Sequence, residues 1–404
     1  MNRIFFIIAW TFIVSLPALS QVDQGLVAHY SFDACDATDD TGQMADGVIT
    51  GNPECDCGVL NNALVLDGQN DFISFLGSFD VVFTDDFSVS MYFRSDGNAT
   101  GPVDLLSKKE SCILDSIFSV RLLTAQNQVQ VEISENASDG TYSNADLDPN
   151  KCWHHIVFVR RLNESLLYYN GVPISSQFTG LQLDINNNGV FSIANSPCLA
   201  NGEERYGGAI DELRLYNRAI TTEEVAQLYF PTDELRITDT IIFKGSGYQA
   251  NIERTCANAF TWLPSTNVSD PFSSDPLLSP DVSSSYKVNM DYDNCIASDT
   301  IRITVVDSLE FSCESVFLPN AFTPNGDQIN DFFGISNVVF LGEFDSFEIF
   351  DRWGGRVFSA SGPFDKWDGT INGEKMPPGM YVYKVRFTCD EGEKSKVGSL
   401  SLIR

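Results

Sequence analysis

Short stretches in which apolar and polar residues alternate recur along the whole chain and predict β-strands. Side chains point to opposite faces of a strand in turn, so an apolar residue at every second position indicates one buried face. Residues 87–93, 129–133 and 381–387 follow this pattern. The pattern therefore predicts an all-β protein built from several sandwich domains.

Turn and helix signals organise residues 22–232 into a first unit. Asn170-Gly171 stands between two apolar runs and is a strong hairpin signal. Strand patterns return at intervals of roughly ten residues, a spacing typical of a sandwich or jelly roll. Near the end of the unit, Thr221 and Glu224 have the spacing of a helix capping box. The unit is therefore predicted to be a β-sandwich closed by one helix.

Specific motifs connect this first unit with a known family. They lie at residues 27–33, 63–68, 71–73, 153–158, 169–172 and 208–219. Together they resemble the laminin-G-like, concanavalin A-like jelly roll found in many bacterial surface proteins. The resemblance implies the fold and leaves the ligand open, because members bind sugars, proteins or nothing known.

Residues 233–307 are predicted to form a second, smaller β domain. Trp262 opens one apolar strand, and residues 299–305 form a closing strand. A Ser-, Pro- and Asp-rich stretch between them, residues 264–285, is typical of turns. The pattern is similar to immunoglobulin-like or polycystic-kidney-disease-like modules. We interpret this domain as a spacer that holds the first domain away from the membrane.

Residues 308–404 contain a third set of motifs, in a small β domain where Trp353 and Trp367 are predicted to supply core area. The motifs lie at residues 318–331, 350–358, 366–369, 377–383 and 398–404. They resemble, in order, the gliding-motility-associated C-terminal domain of Bacteroidota, which is the type B sorting signal of the type IX secretion system. The resemblance implies that the type IX machinery exports the chain across the outer membrane.

The first twenty residues have the features of a secretory signal peptide. Asn2-Arg3 precedes an apolar run over residues 4–16, and small residues lead up to Ser20. We expect cleavage after Ser20. The run is shorter than the ~20 residues of a membrane span, and no other stretch is apolar enough to cross a bilayer. The predicted location is the cell surface or the extracellular space.

The net charge of −30 further limits the partners. Nucleic acid is excluded, because its phosphates would be repelled by a chain this acidic. The charge fits a solvated extracellular surface.

The ten cysteines predict disulfide bonds, because an even number in an exported chain is typical of a disulfide framework. Each predicted domain holds an even number and could close its own bridges, which predicts the pairs Cys256–Cys295 and Cys313–Cys389. The remaining six allow 15 connectivities, and the sequence does not choose among them. They are Cys35, Cys55, Cys57, Cys112, Cys152 and Cys198.

The few candidates for catalysis are poorly arranged. His154 and His155 are adjacent in a predicted strand and point to opposite faces, so they cannot serve one site. Asp211 and Glu212 are adjacent in the same way, whereas a retaining glycosidase needs two carboxyl groups ~5–5.5 Å apart. We therefore predict a protein that is not an enzyme. The alternative is a glycan-processing enzyme, similar to glycoside hydrolases, whose carboxylates come from different strands.

Asp211 is also a candidate metal ligand. It shares its predicted strand face with Leu213, so it is expected to be buried and to need a partner. Asp33 and Asp40 could supply further oxygens, and Ca²⁺ prefers carboxylates and carbonyls. The resembled family often carries a structural calcium ion in such a place, so we predict calcium at Asp211, Asp33 and Asp40. The alternative is an ion pair with an arginine such as Arg214 or Arg218, or simple exposure at an edge.

A sugar site requires exposed aromatic rings beside polar side chains. The candidates are Tyr92, Tyr142, Tyr168 and Tyr206, although alternation alone does not say which are exposed, and the ligand-binding residues stay open. The predicted function is a non-catalytic binding or adhesion protein for glycans or extracellular polymers. The alternatives are the glycan-processing enzyme and a purely structural surface component.

Overall fold

The computed structural model divides into two compact units. Unit 1 contains the described residues up to 240 together with 247–304, and unit 2 contains 241–246 with the described residues from 305 onward. The predicted signal peptide lies outside the described residues. The structure describes residues 21–77, 79–307, 316–325, 330–338, 341, 343–371, 373–389 and 391–403.

Fifteen strands build the first part of unit 1, and the all-β prediction is confirmed. In chain order they are β1 (Leu26–Tyr30), β2 (Gly47–Thr50), β3 (Glu54–Cys57), β4 (Asn62–Asp67), β5 (Phe72–Phe75), β6 (Phe87–Ser95), β7 (Val103–Lys108), β8 (Ile117–Leu123), β9 (Gln128–Asn136), β10 (Asp139–Asp146), β11 (His154–Arg161), β12 (Glu164–Tyr169), β13 (Val172–Phe178), β14 (Phe191–Ile193) and β15 (Gly207–Tyr216).

These strands form two sheets, and the jelly-roll prediction is confirmed. Sheet A has the order β13-β12-β11-β6-β15-β4-β3, with β1 paired to β15; sheet B has the order β10-β9-β8-β7-β14-β5-β2. Alternate apolar residues of both sheets meet in one core. The Phe87 ring, from sheet A, lies 5.5 Å from the Phe118 ring of sheet B, centroid to centroid. On each strand, the residues that alternate with these apolar ones point away from the core.

The predicted closing helix is present as α2 (Thr222–Leu228), after the single-turn α1 (Asp80–Phe83). Its capping box is formed: Glu224 N–H donates to Thr221 Oγ1 over 3.3 Å, and Thr221 N–H donates to Glu224 Oε2 over 2.7 Å. Val225 and Leu228 pack with Val157 on the outer face of sheet A. Short 3-10 turns lie at Gln21–Asp23, Thr124–Gln126 and Pro197–Asn201.

Most of the second module lies in unit 1. Its core contains Trp262, Tyr286 and Val288, and its main sheet has the order β17-β23-β22-β20. The strands are β16 (Glu234–Leu235), β17 (Asp239–Phe243), β18 (Tyr248–Gln249), β19 (Ile252–Glu253), β20 (Ala259–Leu263), β21 (Leu277–Leu278), β22 (Ser284–Asp291) and β23 (Ile296–Val306). The domain limits proposed from the sequence stay predictions.

The predicted Cys256–Cys295 pair is wrong. Both cysteines of the second module are instead bonded to the jelly roll, so two covalent links join these parts of unit 1. The assumption that each domain closes its own bridges fails because Cys57 and Cys152 lie where the jelly roll meets the module. Cys389 is disulfide-bonded, and its predicted partner Cys313 lies outside the described residues. The four described bonds are Cys35–Cys55, Cys57–Cys256, Cys112–Cys198 and Cys152–Cys295.

Unit 2 contains a five-stranded sheet in the order β24-β30-β29-β25-β26. Trp367 is 1% exposed and joins its core, as predicted, whereas Trp353 is 86% exposed. The prediction for Trp353 is wrong because this residue lies in a turn in which its N–H donates to Asp351 Oδ1 over 2.9 Å. The strands are β24 (Ala321–Phe322), β25 (Glu343–Phe350), β26 (Arg356–Ser359), β27 (Thr370–Ile371), β28 (Glu374–Lys375), β29 (Gly379–Cys389) and β30 (Gly392–Leu402).

Candidate functional site

The outer side of sheet B is polar, and we call it the polar face. It forms because the apolar residues of β7 to β9 turn into the core and leave their polar neighbours outside. Ser107 pairs with Ser119, Ser119 with Glu132, and Glu132 with Tyr142, so these side chains form one row across four strands. The polar face consists of Asp104, Ser107, Lys109, Ser119, Arg121, Gln130, Glu132, Tyr142 and Asn144.

An ion-pair network organises one side of the polar face. Arg121 Nε lies 2.9 Å from Asp104 Oδ1, and Arg121 Nη2 lies 2.7 Å from Glu203 Oε2. Lys109 Nζ lies 3.1 Å from Asp104 Oδ2, and both of these side chains are almost fully buried. Burial lowers the pKa of Arg121, but the charges of Asp104 and Glu203 outweigh it and the pKa is raised. The carboxylates on this side are therefore neutralised by cations.

The other side of the polar face presents an aromatic ring to solvent. Tyr142 is 46% exposed, whereas Glu132 beside it is only 5% exposed. Ser119 Oγ donates to Glu132 Oε2 over 3.2 Å. Partial burial raises the pKa of Tyr142, and so do the charge of Glu132 and a hydrogen bond to it. The ring is thus held beside fixed hydrogen-bonding groups.

Two cross-linked segments border the polar face. The Cys112–Cys198 bond joins the segment after β7 to the 3-10 turn that begins at Pro197. A pocket of about 560 Å³ opens between these segments, beside Lys109 and Ser192. The polar face therefore continues into a recess whose wall is covalently fixed.

A buried lysine holds the loop that forms part of this wall. Lys108 Nζ donates to the backbone oxygens of Asn187 and Gly189 over 2.5 and 2.8 Å, and to Asn187 Oδ1 over 3.2 Å. Residues 184–189 have the D-x-N-x-N-G spacing of calcium loops. In this loop the oxygens of Asn187 and Gly189 surround an ammonium group of the chain itself.

The structure does not bring the predicted calcium ligands together. Asp33 Oδ2 accepts a hydrogen bond from the side-chain amide of Asn61 over 2.9 Å, and Asp40 Oδ2 accepts one from the Ser31 N–H over 3.2 Å. Among the described residues, the one group of three ligating side chains within reach of one another is Cys112, Cys198 and Glu203, and its two cysteines form a disulfide. The set Asp211, Asp33 and Asp40 is therefore not assembled. Calcium itself stays a prediction.

Asp211 is buried as predicted, but for a different reason. A bulge at Glu212, whose φ is +52°, shifts the register of β15 against β6. Leu213 faces the core, while Asp211 pairs with Tyr92 under the segment between β3 and β4. Its Oδ2 accepts the N–H groups of Val59 over 2.7 Å and Leu60 over 3.1 Å. The predicted shared face with Leu213 is wrong, and the carboxyl group serves to anchor a loop.

We expect Asp211→Asn to stabilise the protein at pH 8 and to have less effect at pH 5. Burial raises the pKa of Asp211 to about 8 although the Leu60 N–H opposes the shift. A folded-state pKa above the unfolded value means that stability falls as the pH rises from about 4 to about 8. The amide avoids this loss, which is on the order of 5 kcal/mol at pH 8. Urea unfolding at both pH values measures it.

Asp33→Asn is the matched control, because Asp33 contacts the same loop from a more exposed position. It removes a carboxylate beside this loop without removing a fully buried one, and so separates the effect of burial from that of losing a negative charge near the loop. A larger stabilisation by Asp211→Asn at pH 5 than at pH 8 would contradict the buried-carboxyl interpretation. The same measurements in chelator test the predicted calcium ion, whose removal should lower the free energy of unfolding of the unmodified chain.

The histidines do not form one site. His154 Nδ1 lies 2.9 Å from Tyr169 Oη, whereas His155 Nε2 lies 2.8 Å from Ser90 Oγ. Burial lowers the pKa of His154 to about 4 and that of His155 to about 3, so both rings are neutral at pH 7. His29 Nε2, on β1, contacts Glu212 Oε2 over 3.0 Å.

Of the four candidate aromatic residues, only Tyr142 is exposed. Tyr92, Tyr168 and Tyr206 are buried, and the hydroxyl groups of Tyr92 and Tyr206 bond to backbone oxygens. Glu132 and Arg121 were not among the predicted site residues. A signal for Glu132 existed, because the polar residues at 128, 130 and 132 alternate with the apolar residues of 129–133.

Two segments of the chain match models of known protein families. Residues 67–226 match the family model of the concanavalin A-like lectin/glucanases superfamily (Laminin_G_3). Residues 316–402 match the CHU_C Type IX secretion signal domain. The chain therefore contains a concanavalin A-like jelly roll and a C-terminal type IX secretion signal, and both resemblances seen in the sequence are confirmed. No curated protein matches the chain.

Several solved structures are similar at low identity. One is domain 4 of AbnA, a GH43 extracellular arabinanase from Geobacillus stearothermophilus, in complex with arabinotriose. It is 23% identical to this chain, and the match covers 51% of this chain and 98% of the arabinanase domain, with a TM-score of 0.39. The botulinum neurotoxin serotype C1 binding domain is 11% identical, with coverages of 95% and 96% and a TM-score of 0.45.

The type IX signal domain indicates export across the outer membrane to the cell surface or the extracellular space. Within the described part of the chain, no helix combines the length and the apolar character that a membrane crossing requires.

Proposed function

We propose that this protein is an exported, non-catalytic binding protein for glycans or extracellular polymers, and that the polar face is its ligand surface. The observation that carries the proposal is the exposed ring of Tyr142 beside the buried, hydrogen-bonded Glu132. The lectin-like class of the jelly roll and the secretion signal support the same conclusion.

The polar face has the chemistry that a sugar requires. A saccharide ring combines an apolar face of C–H groups with a rim of hydroxyl groups, so it packs on an aromatic ring and bonds to polar side chains. Tyr142 supplies the ring. Gln130 and Asn144 supply amides, which are held together by a 2.9 Å hydrogen bond. Because neighbours already orient these groups, binding would cost little side-chain entropy.

The charges of the polar face support binding rather than hydrolysis. A glycosidase needs two carboxyl groups, one of which acts as an acid. Asp104 is paired with Arg121 and Lys109, and Glu203 is paired with Arg121. Among the carboxylates of the polar face, Glu132 is the one that no cation contacts directly. A single such group does not provide the two roles of a glycosidase.

We expect Tyr142→Ala to weaken glycan binding about tenfold, which corresponds to about 1.4 kcal/mol. The loss of the stacking ring is the cause, and stability should hardly change because the ring is half exposed. A glycan array with the full chain identifies the ligand, and calorimetric titration measures its Kd. Phe178→Ala is the matched control, because Phe178 is 68% exposed on β13 of sheet A.

Three outcomes of the array experiment would reject parts of the proposal. If the unmodified chain binds no glycan or polymer, the structural surface component is favoured. If Tyr142→Ala binds as well as the unmodified chain, the polar face is not the site. If a bound glycan is cleaved, and Glu132→Gln abolishes the cleavage, the chain is an enzyme.

A further inference from the structure

A second pocket lies in unit 1, where the second module meets the jelly roll. We call it the junction pocket. Its volume is about 450 Å³, within the range of ~300–1,000 Å³ typical of small-molecule sites. The jelly roll contributes Leu122, Leu147 and His154, and the second module contributes Asn294 and Cys295. Neither part of the chain encloses this space without the other.

The walls of the junction pocket are fixed in place. The Cys152–Cys295 bond links the two parts at the pocket wall. Next to it, Ser298 N–H donates to the Asn150 carbonyl oxygen over 2.8 Å. The guanidinium of Arg94 lies 4.8 Å from the centroid of the Tyr292 ring and joins the two parts again. A site held in this way is formed before a ligand arrives, which reduces the entropy cost of binding.

The lining combines apolar and uncharged polar groups. Leu122, Leu147 and Pro149 supply an apolar side. His154 supplies a neutral imidazole whose second ring nitrogen has no hydrogen-bond partner among the described residues. The amide of Asn294 is exposed and likewise makes no side-chain hydrogen bond within the described part of the chain. The pocket thus offers hydrogen-bonding capacity that the protein itself leaves unused.

The charged groups of the junction pocket are already engaged. Lys151 Nζ lies 2.8 Å from Glu234 Oε1. Asp148 Oδ1 accepts the N–H and the side-chain amide of Asn150, over 2.9 and 3.0 Å. An anionic ligand would have to compete with Glu234 for Lys151. A divalent cation would find Asp148 as the one carboxylate in the described lining. The lining therefore favours an uncharged ligand.

We propose that the junction pocket binds one neutral saccharide unit, such as the terminal ring of a glycan. An apolar side beside unpaired amide and imidazole groups matches the C–H face and the hydroxyl rim of a sugar ring. The second module is then part of a binding site and not only a spacer. This inference rests on the proposed function for its ligand class, because both concern glycans. The residues of the junction pocket are distinct from those of the polar face.

The test uses the full chain and a panel of methyl glycosides of neutral hexoses, pentoses and N-acetylhexosamines. Saturation-transfer difference NMR should detect binding of at least one of them. Asn294→Trp places a large ring at the pocket from an exposed turn and should weaken this binding at least about tenfold. Asn294→Ala removes only the amide and should weaken it less. Val282→Trp, at another exposed position of the module, should leave it unchanged.

The variants separate this inference from the proposed function. We expect Tyr142→Ala to weaken polymer binding on the array and to leave methyl-glycoside binding intact. If no glycoside binds, or if Asn294→Trp binds as tightly as the unmodified chain, the junction pocket is rejected and the polar face is unaffected. If Tyr142→Ala abolishes glycoside binding and Asn294→Trp does not, the sugar occupies the polar face instead. A digest without reductant confirms that Cys152–Cys295 is intact in each variant.

Discussion

Replacing Cys152 and Cys295 together by serine is expected to lower the free energy of unfolding of unit 1 by about 5 kcal/mol in the chain-entropy model. The bond joins residues separated by 143 positions, so removing it frees a long loop in the unfolded chain. Changing both cysteines avoids a reactive single thiol. Guanidinium unfolding, followed by circular dichroism and tryptophan fluorescence, measures the loss.

Cys35→Ser with Cys55→Ser is the matched control for this experiment. Its bond spans only 20 positions, for which the same model gives about 3 kcal/mol. The long-range pair should therefore cost more than the short-range pair. Equal losses, or a Cys256–Cys295 peptide in a digest of the unreduced protein, would contradict the cross-linked arrangement of unit 1.

Deleting residues 308–404 is expected to abolish export across the outer membrane. The deletion removes the entire segment that matches the type IX secretion signal. It keeps the ion pair between Lys244 Nζ and Asp307 Oδ2, 3.0 Å long, and all residues of unit 1. In a bacterium with a type IX system, the truncated product should accumulate in the periplasm. Fractionation of cells and medium, followed by immunoblotting, measures its distribution.

The full chain, expressed at the same level, is the control for the deletion. The four described disulfides of the truncated product should be checked in the periplasmic fraction, so that misfolding is not mistaken for a sorting defect. If the truncated and full-length chains reach the surface or the medium in equal proportions, the C-terminal domain is not required for export.

Several local features could be predicted from the sequence because neighbouring residues determine them. The Thr221–Glu224 capping box formed as predicted, since both of its hydrogen bonds lie within one helical turn. The Asn170-Gly171 hairpin also formed, with φ of +48° and +76° at these two residues, because Asn and Gly tolerate a left-handed backbone. Such features depend on a few adjacent positions.

Face assignments failed where a local irregularity changed the alternation. One extra residue at the Glu212 bulge placed Asp211 and Leu213 on opposite faces, since a shift by one position exchanges the two sides of a strand. The prediction that Trp353 lies in the core failed for a related reason, because this residue lies in a turn that exposes its large apolar ring to solvent. A count of alternating residues does not reveal either event.

The sequence by itself determined the all-β class, the jelly roll, the secretion signal and the positions of several strands. These properties follow from periodicity and from motifs that are contiguous in the chain. Only the tertiary structure decided the partners of Cys57 and Cys152, the exposure of Tyr142 and the existence of the junction pocket. Each of these depends on which distant segments come together in space, and the spacing of residues along the chain does not encode that proximity.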